Sequence, residues 1–330
     1  MLMKKLSIVI PTLNRVEYLK LTIKSLLPQV IRNINDVELV ISINATQDDT
    51  LDYVRHLTEE YNFLKYNSFE TRVEISESFS RSIDLCSAKY VLIYGDDDFP
   101  NPYLVDIILD NLDSAKAIGL LHFNRLVGND INPNKINNLR VENKKYIDSV
   151  LESNIEIFIK NYNISPGFIS SMVFKKEAWE LGKAWNHSGH YGYEFLGRIY
   201  YGIQLSNFNN CVYLSTPLVL QRMVFKREWN DKWPLYWLIG VPNLLKALDE
   251  NNISNGAYRI WYNELSNPWL PFIYTLFWAS SFKDIYVKRI GDIQNHQAGL
   301  LRKFLVFLII RFSPKFVFST IRKFIYRKKK

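Results

Sequence analysis

Residues 90–98 read Tyr-Val-Leu-Ile-Tyr-Gly-Asp-Asp-Asp, an apolar segment that runs directly into three carboxylates. Val91–Tyr94 is a short continuous apolar run of the kind buried on both faces in a parallel sheet. Asp96, Asp97 and Asp98 then fall just beyond the strand, at the carboxyl edge where open α/β sheets bind their ligands. Three adjacent like charges disfavour one another's ionisation unless a cation offsets them. Hard divalent ions such as Mg²⁺ or Mn²⁺ suit a few carboxylates combined with substrate phosphate oxygens. The segment therefore points to a metal-bridged diphosphate site. The plain alternative is a solvated acidic turn ahead of Pro100 and Pro102.

The preceding ninety residues alternate between strand and helix patterns. Leu6–Ile10 is apolar and ends at Pro11; Val16–Leu27 has helical periodicity; Val37–Ile43 is a second apolar run. Leu51–Tyr61 and Ser76–Cys86 read as helices, and Phe63–Tyr66 as a third strand. This alternation predicts a doubly wound, mostly parallel α/β sheet. The polar loops after the first two strands then share an edge with Asp96–Asp98. Further on, Gly119–Asn124, Ser170–Phe174 and Val212–Arg222 read as strands and Gly189–Tyr201 as a helix. The Asn- and Lys-rich stretch 128–146 reads as a mobile excursion.

Composition limits the function class. The chain has 330 residues, 48% of them hydrophobic, enough for a substantial core. Two cysteines, Cys86 and Cys211, give neither a disulfide framework nor a zinc pattern, as expected of reduced cytosolic thiols. Met1–Lys5 leads straight into the first strand without a signal-peptide pattern. The net charge of +8 is uneven: residues 283–330 hold 13 Lys or Arg against Asp284 and Asp292. The high isoelectric point thus belongs to the tail.

The N-terminal segments together resemble the family 2 glycosyltransferases, which have the GT-A fold. The resemblance is carried by Leu6-Ser-Ile-Val-Ile-Pro-Thr-Leu-Asn-Arg15, by Glu38-Leu-Val-Ile-Ser-Ile-Asn-Ala-Thr-Gln-Asp48, by Arg72–Ile83, and by the Asp-x-Asp match in Tyr94-Gly-Asp-Asp-Asp98. The four lie in order over residues 6–98. The resemblance implies an inverting, metal-dependent transfer of a sugar from a nucleotide-sugar donor to an acceptor hydroxyl. It implies Asp98 as direct metal ligand, Asp96 as the other carboxylate, and Asp97 against the donor ribose or sugar. Pro11, Thr12 and Asn14 would line the nucleoside pocket, while Arg15 and Arg72 would approach phosphate. Where the family carries an Asp pair, this chain has Ile43 and Asn44. An Asn there suits uracil, thymine or cytosine, which leaves the base open. The general base is expected in His187–Arg198. Gly192 stands where many members have Asp, so Glu194 is the first candidate and His190 the second. Arg222, at the end of its strand, is a candidate for the leaving diphosphate.

The expected organisation is a catalytic domain over 1–225 (nucleotide-sugar half 1–125, acceptor half 126–225) and a helical, aromatic C-terminal region over 226–330. Its tail, 302–330, mixes ten Lys or Arg with large apolar residues and reads as an amphipathic segment for an anionic membrane surface. That places the protein in the cytoplasm, peripheral on the inner face of the cell membrane. A lipid-linked glycan acceptor of bacterial surface-polysaccharide (O-antigen or capsule) synthesis follows as the expected partner. Two rivals are a nucleotide-sugar-binding protein without catalysis and a nucleic-acid-binding module using the tail. Nucleic acid is the less expected partner, because Leu305, Leu308 and Ile309 interleave the basic residues.

Overall fold

The structure, a computed structural model, describes residues 3–114, 117–132, 135–142, 150–152, 154–162, 168–189, 193–223, 232–264, 269–297, 299–314, 316–318 and 320. The chain divides into two compact units. The first comprises 1–186 and 195–225; the second comprises 187–194 and 226–330. Residues 187–194, the first part of the segment expected to carry the general base, are thus grouped with the helical unit, and 195–198 with the first.

The first unit is a mixed α/β sheet with mostly parallel strands in its N-terminal half. β1 (Leu6–Thr12), β2 (Val37–Asn44), β3 (Lys65–Phe69) and β4 (Tyr90–Ile93) are parallel neighbours in the order β3-β2-β1-β4. Next come the short β5 (Phe99–Pro100), then β6 (Ile118–Asn132), β7 (Lys135–Val141), β8 (Val150–Glu152), β9 (Met172–Lys175) and β10 (Asn210–Met223). β9 inserts antiparallel between β4 and β6, and β10 runs parallel to β6. Residues 128–146 were expected to wander, yet β6 continues to Asn132 and pairs antiparallel with β7. Ladder pairing supplies partners for the polar backbone that composition alone suggested would stay solvated.

The core explains the apolar runs. Leu6, Ile8 and Ile10 of β1 share a cluster with Leu39, Ile41 and Ile43 of β2 and with Tyr90, Leu92 and Tyr94 at β4. Against it pack α1 (Val16–Arg32) through Leu19, Ile23, Leu26 and Val30, and Leu104, Val105 and Ile108 of the helix Leu104–Ser114. α1 continues five residues past the expected end at Leu27, through Pro28. Burial of Val30 outweighs the backbone bond that proline removes. Glu38, 1% exposed, joins the strands laterally. It accepts hydrogen bonds from Ser7 Oγ, Ser87 N and Oγ, and Lys65 Nζ at 2.5–2.8 Å. Burial opposes its ionisation, but those four donors outweigh burial and hold the carboxyl at about 2.

The second unit is helical. Leu235, Leu238 and Ile239 pack with Phe272, Leu276 and Ala279 of the helix Trp269–Ser280, and with Val306, Ile309 and Ile310 of the helix Leu300–Phe312. No helix among the described residues is long and apolar enough to cross a membrane.

Candidate active site

β4 ends at Ile93, Tyr94 N still donates to Val9 O at 2.8 Å, and the chain then turns through Gly95. The turn leaves Asp96, Asp97 and Asp98 buried, each 5% exposed or less. The sequence suggested a metal ion to offset these charges. The structure supplies two internal cations as well. Arg15 Nη1 donates to Asp96 Oδ1 at 2.6 Å and Arg15 Nη2 to Asp97 Oδ2 at 2.5 Å. Burial works against the Arg15 charge, and the Asp96 and Asp97 carboxylates outweigh it, so its pKa is raised. Arg222, fully buried on β10, donates from Nε to Asp97 O and from its backbone N to Asp98 Oδ1 at 3.3 Å. Its guanidinium lies 4.7 Å from the Tyr18 ring centroid and 4.5 Å from that of Phe99. Arg15, expected to approach phosphate, grips the acidic turn, and Arg222 braces the same turn.

Neutral hydroxyls complete the frame. Thr12 Oγ1 donates to Asp96 Oδ2 at 2.8 Å, and Ser170 Oγ donates to Asp98 Oδ2 at 2.6 Å while accepting from Gly95 N at 2.8 Å. Thr22 of α1, fully buried, reaches the carbonyls of Asp96 and Asp98 at 2.9 and 3.1 Å. Gly95 has to lack a side chain, because a Cβ there would lie 2.7 Å from Asp98 Oδ2. Ser170 and Thr22 escaped the sequence reading. Ser170 was assigned to a strand but sits in a short 3₁₀ turn, Ile169–Ser171, ahead of β9. No local pattern marks either residue.

The loops after β1 and β2 are held together beside this turn. Asn14, in the left-handed region at φ 52°, accepts from Thr46 Oγ1 and Gln47 N. Asp48 accepts from Thr46, from Thr50 and from Val16 N at the start of α1. Ala45 is also left-handed, at φ 46°, which is uncommon for a residue with a Cβ and concentrates at functional loops. Asn44 Nδ2 donates to Val73 O at 3.0 Å and its Oδ1 accepts from Val73 N at 3.1 Å. The amide has one further N–H and one further lone pair for a ligand. Pro11 is half-buried at the end of β1, and Arg72 is exposed ahead of the helix Ile75–Asp84.

Of the two base candidates the structure describes Glu194, in the second unit. Glu194 is half-buried and opens the helix Glu194–Leu205, five residues later than the start expected from the sequence. His190 and Gly192 lie outside the described residues. The stretch before them is tied down within its own unit. Asn243 Nδ2 donates to Gly189 O at 2.8 Å, and Asn251 Nδ2 lies 3.0 Å from His187 Nε2. His296 Nε2 is 2.9 Å from Asn243 Oδ1, and Tyr258 OH is 3.1 Å from His296 Nδ1.

Comparison with known proteins matches this arrangement to a family. The model of glycosyl transferase family 2 covers residues 7–180, more than half of the chain and the whole acidic turn. The chain belongs to glycosyl transferase family 2. This glycosyltransferase is 27% identical over 326 residues to the abequosyltransferase RfbV of Salmonella typhimurium, spanning 93% of each chain. Its fold is that of TarS residues 1–349 from S. aureus, with a TM-score of 0.56, 12% identity, and coverage of 97% of this chain and 91% of that one. The mannosyltransferase PcManGT from Pyrobaculum calidifontis, solved with GDP-Man and Mn²⁺, has a TM-score of 0.55 at 12% identity, over 93% of this chain and 79% of that one. The family 2 enzyme is thus a GT-A glycosyltransferase carrying a helical C-terminal region.

Proposed function

We propose that this glycosyltransferase moves a sugar from a nucleoside-diphosphate donor to an acceptor hydroxyl, with inversion and with the help of Mg²⁺ or Mn²⁺. We propose further that the acceptor is a lipid-linked oligosaccharide of bacterial surface-polysaccharide assembly, met at the inner face of the cell membrane. The observation that carries the reading is the framed acidic turn Asp96–Asp98 at the carboxyl edge of the sheet. Support for a nucleotide-sugar comes from the structural relatives: TarS 1–349 has been solved with UDP-GlcNAc, and PcManGT with GDP-Man. The abequosyltransferase relative supports a sugar-transfer role over nearly the full chain.

The residues present fit a divalent cation. Among the described residues, three carboxylates stand against the two guanidiniums of Arg15 and Arg222, and the carboxylates are hard oxygen donors. Among the described residues no cluster of three His, Cys, Asp or Glu side chains is placed to hold an ion unaided. That suits an ion held by one or two carboxylates and completed by substrate phosphates. Asp98 and Asp96 would hold it. When bound, the ion supplies positive charge for the leaving diphosphate.

The chain's own groups do the rest. Thr12 and Arg15 orient Asp96, while Ser170 and the Arg222 backbone orient Asp98. Asp97 faces the donor ribose or sugar, Pro11, Thr12 and Asn14 line the nucleoside pocket, Asn44 meets the base, and Arg72 approaches the diphosphate. Glu194, or else His190, accepts the proton of the acceptor hydroxyl. The basic tail 302–330 meets anionic lipid.

The test is a thermal-shift screen of UDP-, GDP-, CDP- and dTDP-sugars with and without Mn²⁺, repeated on Asp98→Asn. A donor at about 100 times its Kd stabilises the fold by about 2.7 kcal/mol. One nucleotide giving a metal-dependent shift that Asp98→Asn abolishes supports the reading. No shift with folded protein, or full transfer activity in Asp98→Asn, overturns it.

A further inference from the structure

The helix Leu300–Phe312 is apolar on both sides, and among the described residues one side is buried and the other exposed. At 100° per residue, Arg302, Val306, Ile309 and Ile310 share one face, and all four are buried. Val306, Ile309 and Ile310 enter the core of the helical unit. The Arg302 guanidinium lies 5.6 Å from the Phe272 ring centroid. On the opposite face stand Leu300, Leu301, Phe304, Phe307, Leu308 and Phe312, between 39% and 87% exposed. Phe316, 69% exposed, extends the series. Seven of the sixteen exposed large apolar residues among the described residues therefore fall within seventeen consecutive positions. Scattered exposed apolar side chains are ordinary, but a contiguous helical face of them marks an interaction surface.

The charge around this face selects its occupant. Residues 300–312 hold Arg302, Lys303 and Arg311 and no carboxylate. Residues 283–330 hold 13 basic residues against two acidic ones. Two copies meeting through this helix would bring like charges together, whereas an anionic lipid surface complements them. Nucleic acid would meet leucine and phenylalanine where its phosphates need cations. The helix is about 20 Å long at 1.5 Å per residue, short of a bilayer's roughly 30 Å core, so it lies in the plane of the interface. Lys303 at the edge of this face and Arg311 within its C-terminal end, both exposed, have stems long enough to carry their charges to the head groups.

We infer that the outward face of Leu300–Phe312, with Leu301, Phe304 and Leu308 at its centre, is the surface that enters the acyl boundary of an anionic bilayer. This deepens the membrane-surface part of the proposed function and rests on it. It divides the work of the tail: the flanking cations give attraction and lipid selectivity, and this one helical face gives insertion.

The experiment uses the full chain with phosphatidylcholine vesicles, with and without phosphatidylglycerol, in the absence of donor and acceptor. Sedimentation compares the wild type with a variant carrying Leu301→Gln, Phe304→Gln and Leu308→Gln, which leaves every charge in place. In parallel, Phe307→Cys is labelled with an environment-sensitive fluorophore; Cys86 and Cys211 are buried, so labelling is selective. Expected are binding to the anionic vesicles, binding weakened about tenfold or more by the triple substitution, and a blue shift of the label on vesicle addition. Wild-type levels of binding in the triple variant, no binding by the wild type, or an unshifted label each overturn the inference. So does a triple variant that converts a dimer to a monomer with vesicle binding unchanged, since a second copy then covers the face. Should the triple variant not fold, the label and the single Phe304→Gln variant decide. Vesicle binding without transfer to a lipid-linked acceptor removes the acceptor reading and leaves this surface standing; transfer without vesicle binding does the reverse.

Discussion

The Arg15 guanidinium donates to Asp97 Oδ2 at 2.5 Å while its other amino group holds Asp96 Oδ1 at 2.6 Å. One side chain from the loop after β1 thus bridges two carboxylates of the acidic turn. This changes what a metal ion has to do there. Without any ion, Asp96 and Asp97 are already paired with a cation from within the chain. On the proposed reading a divalent ion joins a turn that Arg15 already bridges, and at Asp96 the two compete.

Arg15→Gln tests that competition. The substitution removes one cation from the turn, so the turn becomes more negative. Mn²⁺ affinity measured by calorimetry should rise about tenfold, equivalent to about 1.4 kcal/mol. The metal-free protein should lose about 1–3 kcal/mol, because a buried charge pair has lost one partner, and Mn²⁺ should restore much of the loss. Unchanged Mn²⁺ affinity would show that Arg15 and the ion do not share oxygens.

Gly95 and Ser170 set the direction of Asp98. A methyl at Gly95 would lie 2.7 Å from Asp98 Oδ2 and 3.1 Å from Ser170 Oγ, so Gly95→Ala must push the carboxylate aside. Displacement of a positioned group by about 1 Å lowers turnover about 100-fold. Ser170→Ala removes a donor to Asp98 and the acceptor of Gly95 N, at about 1.5–3 kcal/mol for a bond to a charged group. Steady-state kinetics of both variants should show kcat falling further than any rise in donor KM. Wild-type kcat in Gly95→Ala would separate Asp98 from turnover.

Glu38 makes the sheet acid-sensitive. Its carboxyl is held at about 2 against an ordinary 4.5. A depressed carboxylate pKa means that the unfolded chain binds the proton more readily. The stabilisation is therefore complete above about pH 4.5 and is lost as pH falls through 2. At neutral pH the shift corresponds to about 3 kcal/mol. Chemical denaturation between pH 7 and 2 should show Glu38→Gln less stable by about 2–3 kcal/mol at pH 7, with the difference shrinking as the pH falls. A constant difference across that range would assign the effect to packing.

The parallel half of this fold was legible because β1, β2 and β4 are buried on both faces, and such strands announce themselves as near-continuous apolar runs. The acidic turn was legible for the same reason: Asp96–Asp98 follow one of those runs directly. Its frame was not. Thr22 lies 74 residues from Asp96, Ser170 lies 72 from Asp98, and Arg222 lies 125 from Asp97. Only the tertiary fold brings such pairs together. The β6–β7 hairpin was missed because its Asn- and Lys-rich sequence has the composition of a loop, and its ladder depends on a partner strand. The tail's cations were plain in the sequence, but which side of Leu300–Phe312 faces outward follows only from the burial of Val306 and Ile310.

On the proposed reading, in which Glu194 or His190 is the base, the stretch that leads to them should also matter for turnover. Asn243 donates to Gly189 O, which leaves its Oδ1 to accept from His296 Nε2–H; His296 Nδ1 then accepts from Tyr258 OH. That pattern needs a neutral His296. Burial, and then Lys246, lower its pKa below the ordinary 6.5, with Asp292 opposing. The folded unit thus binds this proton less readily than the unfolded chain does, so the contribution is intact above about pH 6.5 and is lost as pH falls below it. Asn243→Leu removes both the donor to Gly189 and the acceptor for His296. The expected outcome is a kcat lowered about tenfold or more and a raised KM for the acceptor, with the donor-induced thermal shift unchanged. Donor binding and turnover falling together would instead point to general unfolding. His296→Gln keeps an amide donor near Asn243 without a titrating group, so its stability between pH 7 and 5 should be flatter than that of the wild type.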